Sequence, residues 1–342
     1  GVQSRAGEMR GAGARRLQAS RPSMCRHRTA SAASRASAVT DSADVSATIA
    51  KNASLALLRN QIVAPAAMAL NGALLPIRER ALRRLDVSIT QAETPVGKGH
   101  WFEREVAGST PAETILYFHG GAYCFHNFAG YDFANQYASN NDSSLRVLSF
   151  QYDLPGSFPG TIEQAVAVYQ WLVESGHENI IVAGDSSGGN LALAMHLYMR
   201  AKSLPLPPAR KLILISPWVK LGGTPAPSYA RNAASDFLSA DGLVTCFEQS
   251  LGASPAAAPE DPLVSPLCFS PTSAEDLPPM LISVSAEEVF CDDVEAFARK
   301  MEGAGIAAEL HYADGFHTSP LILPMLASVR AFWKRCAEFV AA

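Results

Sequence analysis

Six short, uninterrupted apolar runs, each followed by a stretch of helical periodicity, most constrain how this chain can fold. They occupy residues 114–118, 146–150, 180–183, 212–215, 280–284 and 308–312. A run of this length with no polar alternation suits a strand buried on both faces, and such strands belong to parallel sheets covered by helices. Segments 161–174, 191–202, 292–303 and 321–340 read as those helices. In the first, Ile162, Ala165, Val166, Tyr169, Leu172 and Val173 share one face. Upstream, 85–91 and 100–106 are short alternating segments around Pro95 and Gly97, the pattern of a hairpin. Strand and helix in alternation predict an α/β fold, one doubly wound domain with a mostly parallel sheet flanked by helices.

Charge divides the chain unevenly. The first forty residues hold eight Arg, no Lys and one acid, Glu8, for +7, against −4 for the whole chain, so the other 302 carry −11. The negative balance speaks against a nucleic-acid partner. The arm is rich in Ala, Ser and Arg and has no apolar run, which resembles an organellar transit peptide rather than a secretory signal. A plastid or mitochondrial address follows if it is one; a disordered basic arm on a cytoplasmic protein is the other reading. Residues 41–342 are expected to form the folded domain, with 43–84 helical and broken by Pro65 and Pro76. No apolar stretch is long and clean enough for a membrane span. The six Cys (Cys25, Cys124, Cys246, Cys268, Cys291 and Cys336) are scattered without a C-x-x-C pair, so a metal site or disulfide framework is not expected.

The chemistry concentrates where strands end. Gly184-Asp185-Ser186-Ser187-Gly188 follows the run 180–183 and opens the next helix. This is G-x-S-x-G in a strand–turn–helix context, where glycines permit a sharp turn and lift the serine above the carboxyl edge of the sheet. Ser186 is the candidate nucleophile; a plain N-cap serine on a Gly-rich turn is the bland alternative. His119-Gly120-Gly121-Ala122 follows the run 114–118. Glycines there leave backbone N–H groups able to face an oxyanion, so Gly120 and Gly121 are candidate donors, joined by Ser187 at a helix N-terminus. A serine hydroxyl needs a base. Of eight His, His317 alone lies just after the last strand and before a helix, where the strand ends converge. The base needs a carboxylate, and the loop after 280–284 holds Glu287, Glu288, Asp292 and Asp293. The two Asp suit the first turn of the next helix, where the macrodipole favours acids, leaving Glu287 and Glu288 undecided.

Taken in order, HGGA, GDSSGGN, SPW, DPLVSPL, LPP and GFH resemble the hormone-sensitive-lipase-like carboxylesterases of the α/β-hydrolase superfamily, from about residue 85 to the end. The resemblance implies an ester hydrolase using Ser, an acid and His, with a helical cap built partly from N-terminal residues, here about 43–84 together with 224–251. It also implies the acid nine residues beyond the second Pro of LPP and four before the first Asp of the next helix. Both counts, from Pro279 and from Asp292, reach Glu288. Two departures stand out. The family's Y-R-x-A-P-E is replaced by Tyr152 to Ser157, two residues shorter and lacking the Arg and Glu, so an ion pair is expected to be missing there. A Gly common past the HGG segment is replaced around Phe125 and His126, which could narrow an acyl pocket.

Together these features predict a serine carboxylic ester hydrolase with catalytic Ser186, Glu288 and His317, oxyanion donors Gly120, Gly121 and Ser187, and neither metal nor cofactor. The expected partner is a neutral small-molecule ester with a short- to medium-chain acyl group; oligomeric state is open. Rival readings are an amidase, arylformamidase or deacetylase using the same residues, and a non-catalytic small-ligand receptor like the plant gibberellin receptors. A receptor has no need to keep the histidine, which favours catalysis.

Overall fold

The computed structural model describes residues 73–108 and 113–342. The basic arm of residues 1–40 lies outside them, as do 41–72 of the expected cap. The described part of that segment forms helix α1 (Leu75–Arg84). It packs beside α2 (Ala129–Ser139) with Leu82 fully buried, and the Arg78 guanidinium donates to both Asp132 carboxylate oxygens at 2.8 and 2.9 Å. This stretch therefore lies in a layer flanking the sheet.

Eight strands form one sheet: β1 (Ser88–Thr94), β2 (Gly97–Arg104), β3 (Thr114–Phe118), β4 (Leu145–Phe150), β5 (Ile181–Asp185), β6 (Lys211–Ile215), β7 (Met280–Val284) and β8 (Ala308–Tyr312). Their order is β1-β2-β4-β3-β5-β6-β7-β8. The expected hairpin is β1–β2, which joins β4 antiparallel; from β4 to β8 every pairing is parallel. Side chains alternate across the central strands, so each strand feeds two cores. Leu116, Phe118, Val182, Leu212 and Leu214 point to one, among residues of α3 (Gly160–Glu174), α4 (Ser187–Ala201) and α7 (Cys291–Gly303). Ile115, Tyr117, Ile181, Ala183, Ile213 and Ile215 point to the other, with α1, α2 and α9 (Ala327–Ala341). Burial on both faces is why these strands read as continuous apolar runs. Two shorter helices, α5 (Pro227–Arg231) and α6 (Ala240–Gln249), lie in the long β6–β7 connection.

Three differences from the expected elements have local causes. The helix expected over 321–340 is two, α8 (Ser319–Ile322) and α9, because Pro324 between them cannot continue an α-helix. α4 begins at Ser187, four residues before the expected start, since Gly188 and Gly189 sit inside its first turn. α2 was not anticipated: its aromatic and small side chains are buried on most faces, which blurs the helical period. Among the described residues, no helix is long and apolar enough to cross a membrane.

α9 is pinned by Trp333, fully buried, whose indole N–H donates to Pro320 O at 2.8 Å and whose ring meets Phe133 edge-on at 5.3 Å. Trp333→Ala should cost about 3–5 kcal/mol in urea unfolding, as expected for a large core truncation. A loss under about 1 kcal/mol would mean that α9 is not docked as described.

Candidate active site

The loops that carry the expected residues follow β3, β5, β7 and β8, whose carboxyl ends lie on one edge of the sheet beside that of β6. Ser186 sits between β5 and α4 with φ 52° and ψ −121°, a conformation that costs energy for a residue with a Cβ. Three features hold it. Its N–H donates to Ile215 O at 2.9 Å, and its carbonyl accepts from Trp218 N at 2.9 Å. Close packing supplies the third: a Cβ on Gly188 would lie 2.0 Å from Phe118 O, and one on Gly184 would lie 2.4 Å from Gly188 O. Only glycines let the first turn of α4 press against the end of β3 in this way.

Asp185 is a node that sequence reasoning missed. Its buried Oδ1 accepts from Tyr117 Oη at 2.6 Å and from the Gly120 N–H at 2.8 Å. Burial pushes its pKa up to about 6, opposed by those two hydrogen bonds. The Gly120 bond corrects one expectation. An N–H committed to Asp185 points away from any substrate, so Gly120 is not an oxyanion donor in this geometry. The N–H groups of Gly121, Ala122 and Ser187 have no protein acceptor among the described residues. Gly121 (φ 117°), Ala122 (φ 53°) and Tyr123 (φ 59°) form a turn of successive left-handed residues. That turn is anchored from several sides. Tyr123 Oη donates to Asn190 Oδ1 at 2.6 Å, and Tyr152 Oη donates to His119 O at 2.7 Å. His119 is buried against the Tyr152 ring at 4.4 Å, and burial takes its pKa down to about 4, so it stays neutral. Beyond Tyr152, where an ion pair was expected to be missing, Gln164 bridges Asp153 through its N–H and Oδ2 at 3.0 and 2.8 Å.

The two glutamates separate cleanly. Glu287 is exposed, whereas Glu288 is fully buried and its Oε2 accepts from His317 Nδ1 at 3.3 Å. Asn232 fixes the glutamate loop by donating to Glu288 O at 2.7 Å and Ala286 O at 2.9 Å. Asp236, also unforeseen, accepts from Val289 N at 2.8 Å and from His317 N at 3.4 Å, tying the acid loop to the histidine loop. Thr318 N donates to Ser216 Oγ at 3.0 Å, one residue beyond the carbonyl that holds Ser186. The imidazole is boxed edge-on by Phe290 at 4.9 Å, and Trp218 stacks on Phe290 at 5.9 Å. Burial alone would lower the His317 pKa. The Glu288 hydrogen bond and charge, with Asp236 and Asp185, outweigh it and raise the pKa above 6.5. Asp292 and Asp293 stand in the first turn of α7 as expected, and Asp292 pairs with Arg231 at 2.6 Å.

A sequence profile for the alpha/beta hydrolase fold matches residues 115–318, which span every strand and loop just described from β3 onward. The chain belongs to this family. An acetyl-hydrolase of Streptomyces hygroscopicus is 33% identical over 218 residues, covering 62% of this chain and 70% of the relative. Esterase LipI of Mycobacterium tuberculosis is 27% identical over 243 residues, covering 68% and 73%. Among solved structures, a hormone-sensitive lipase from a metagenome library superposes with a TM-score of 0.62 at 26% identity, covering 78% of this chain and 90% of that one. EstE5 soaked with p-nitrophenyl butyrate gives 0.64 at 26% identity over the same shares. The resemblance to hormone-sensitive-lipase-like α/β hydrolases therefore holds.

The glycine packing at the turn is testable by a pair of substitutions. Gly188→Ala places a methyl within 2.0 Å of Phe118 O and 2.6 Å of His119 O, both backbone. It should lower unfolding stability by about 1–3 kcal/mol or more. Gly303→Ala, with nothing within 4 Å, should be neutral or stabilising by roughly 0.5–1 kcal/mol. Equal effects by urea titration would contradict the close approach of α4 to β3.

Proposed function

We propose that this chain is a serine carboxylic ester hydrolase working through Ser186, His317 and Glu288. The observation that carries the reading is the buried Glu288–His317 hydrogen bond beside a strained serine turn. Ser186 Oγ attacks the ester carbonyl while His317 Nε2 takes its proton. The imidazolium that forms is stabilised by Glu288, whose hydrogen bond at Nδ1 also keeps Nε2 free as the base. The carbonyl oxygen becomes an oxyanion facing the N–H groups of Gly121, Ala122 and Ser187, the last at the positive end of α4. Each such donor is worth about 2.7–4 kcal/mol in the transition state. Collapse expels the alcohol, which takes the proton from His317. Water, deprotonated by the same imidazole, then releases the acid and restores Ser186.

The substrate class proposed is a neutral ester with a short- to medium-chain acyl group. Phe237, an exposed aromatic side chain, packs edge-on against Phe316 and His317 at 5.7 and 5.8 Å. Together with Phe290 and Trp218 it surrounds the imidazole with apolar surface, which favours an uncharged ligand. The acetyl-hydrolase among the relatives and the butyrate ester soaked into EstE5 point the same way.

Ser186→Ala should fold normally and lose activity by several orders of magnitude toward the residual left by binding and oxyanion contacts. On one short-chain ester at pH 8, Glu288→Gln should lower turnover on the order of a thousandfold or more, and Glu287→Gln less than about tenfold. The reverse order would reassign the acid. A third outcome concerns pH. Only the neutral imidazole can act as base, and the raised His317 pKa extends its protonated form above pH 6.5. kcat/KM should therefore fall on the acid side with a midpoint above 6.5. A midpoint well below that value would contradict the Glu288 pairing.

A further inference from the structure

The turn carrying Gly121 and Ala122 ends at Cys124, whose N–H donates to Gly121 O at 3.0 Å. Across from it lies Cys246 on α6, far away in sequence. The Cys124 thiol donates to Cys246 O at 3.3 Å, and the two neighbouring thiols shift each other's pKa, Cys124 downward and Cys246 upward. Ser250 Oγ also donates to Cys246 O, at 2.6 Å, fixing the C-terminal end of α6 at this contact. Both cysteines are reduced and partly exposed. The other described cysteines differ: Cys291 and Cys336 are buried among core side chains, and Cys268 is exposed.

We propose that Cys124 and Cys246 are a disulfide-forming pair that couples the redox state of the surroundings to the oxyanion turn. The oxidant is a low-molecular-weight disulfide such as oxidised glutathione. The Cys124 thiolate attacks one glutathione sulfur, forming a mixed disulfide and expelling one glutathione thiolate. Cys246 then loses its proton and attacks Cys124 Sγ, expelling the second glutathione. Two protein thiols are oxidised by two electrons, and one glutathione disulfide is reduced to two thiols. Cys124 is the entry point because the neighbouring Cys246 thiol holds its pKa below the usual thiol value despite partial burial, while that of Cys246 is raised. A lowered pKa raises the thiolate fraction that does the attacking.

The consequence follows from where the pair sits. A disulfide bond is about 2 Å long, shorter than any thiol–thiol hydrogen bond, so its closure draws the turn and α6 together. The N–H groups of Gly121 and Ala122 lie two to three residues from the sulfur that moves. Misplacement of catalytic groups by about 1 Å can cost on the order of a hundredfold in rate. The crosslinked form is the slow one, and reduction restores the turn. This consequence rests on the ester-hydrolase reading; formation of the bond does not.

The test equilibrates the full chain in glutathione buffers from fully reduced to fully oxidised. It reads the Cys124–Cys246 crosslinked peptide by non-reducing mass mapping and kcat/KM on a short-chain ester in the same samples. The crosslinked peptide should accumulate as kcat/KM falls by about tenfold or more, and dithiothreitol should reverse both. Cys246→Ser stops at the first step: in oxidised buffers it should carry glutathione on Cys124 and form no intramolecular crosslink, and in reduced buffer it should match wild type within about twofold. The proposal is overturned if the crosslink does not form under full oxidation, if it forms without a rate change, or if fully oxidised Cys246→Ser carries no glutathione on Cys124. An inactive reduced protein that still forms the crosslink counts against the ester reading instead.

Discussion

The contact between the first turn of α4 and the end of β3 is the constraint on which the site depends. With Gly188 against Phe118 O, the serine turn and the oxyanion turn are placed by the same pair of sheet strands. Asp185 reinforces this by holding Gly120 from the neighbouring strand end. The strain at Ser186, of order 1–3 kcal/mol, is tolerable because hydrogen bonds from β6 and from Trp218 over-determine that backbone. On the proposed mechanism, a nucleophile and its oxyanion donors set on one rigid edge need little rearrangement when charge develops, which is where most catalytic advantage of this kind arises.

The proposed acid–base half of the site is assembled differently, from two loops that meet only in the folded chain. Glu288 and His317 each follow a strand, but their alignment comes from Asn232 and Asp236 in the connection that carries α5 and α6. That connection is therefore linked to the histidine's position through the Asn232 amide and the Asp236 carboxylate. Phe237 illustrates the economy, because it follows Asp236 directly and packs on the imidazole that Asp236 helps to hold.

Much of this was legible in the sequence because it follows from local rules. Strands buried on both faces read as apolar runs, Ser186 lies in a spacing that demands a sharp turn, and His317 stands alone at the right strand end. Other features depend on direction rather than residue type. Gly120 and Gly121 are indistinguishable in sequence, yet Asp185 captures the N–H of the first and leaves that of the second free. Glu287 and Glu288 are chemically alike, and only the path of the loop buries one and exposes the other; family spacing had already singled out Glu288. Asp185 fills an unspecified position of the G-x-S-x-G motif and Asp236 lies outside every motif, and their hydrogen bonds form across long separations that leave no sequence signal. Pro324 does carry a local signal, the break between α8 and α9, which the surrounding helical periodicity masks.

The central claim is that Ser186 is a hydroxyl made nucleophilic by His317 and Glu288. Covalent labelling with a fluorophosphonate, followed by peptide mass mapping, tests it most directly, because the reagent needs an activated hydroxyl and an oxyanion site but no knowledge of the natural ester. The expected result is one phosphonyl group per chain on the peptide containing Ser186, with labelling slowed sharply in Glu288→Gln. Label on a different residue, or an unlabelled folded protein, would contradict the account.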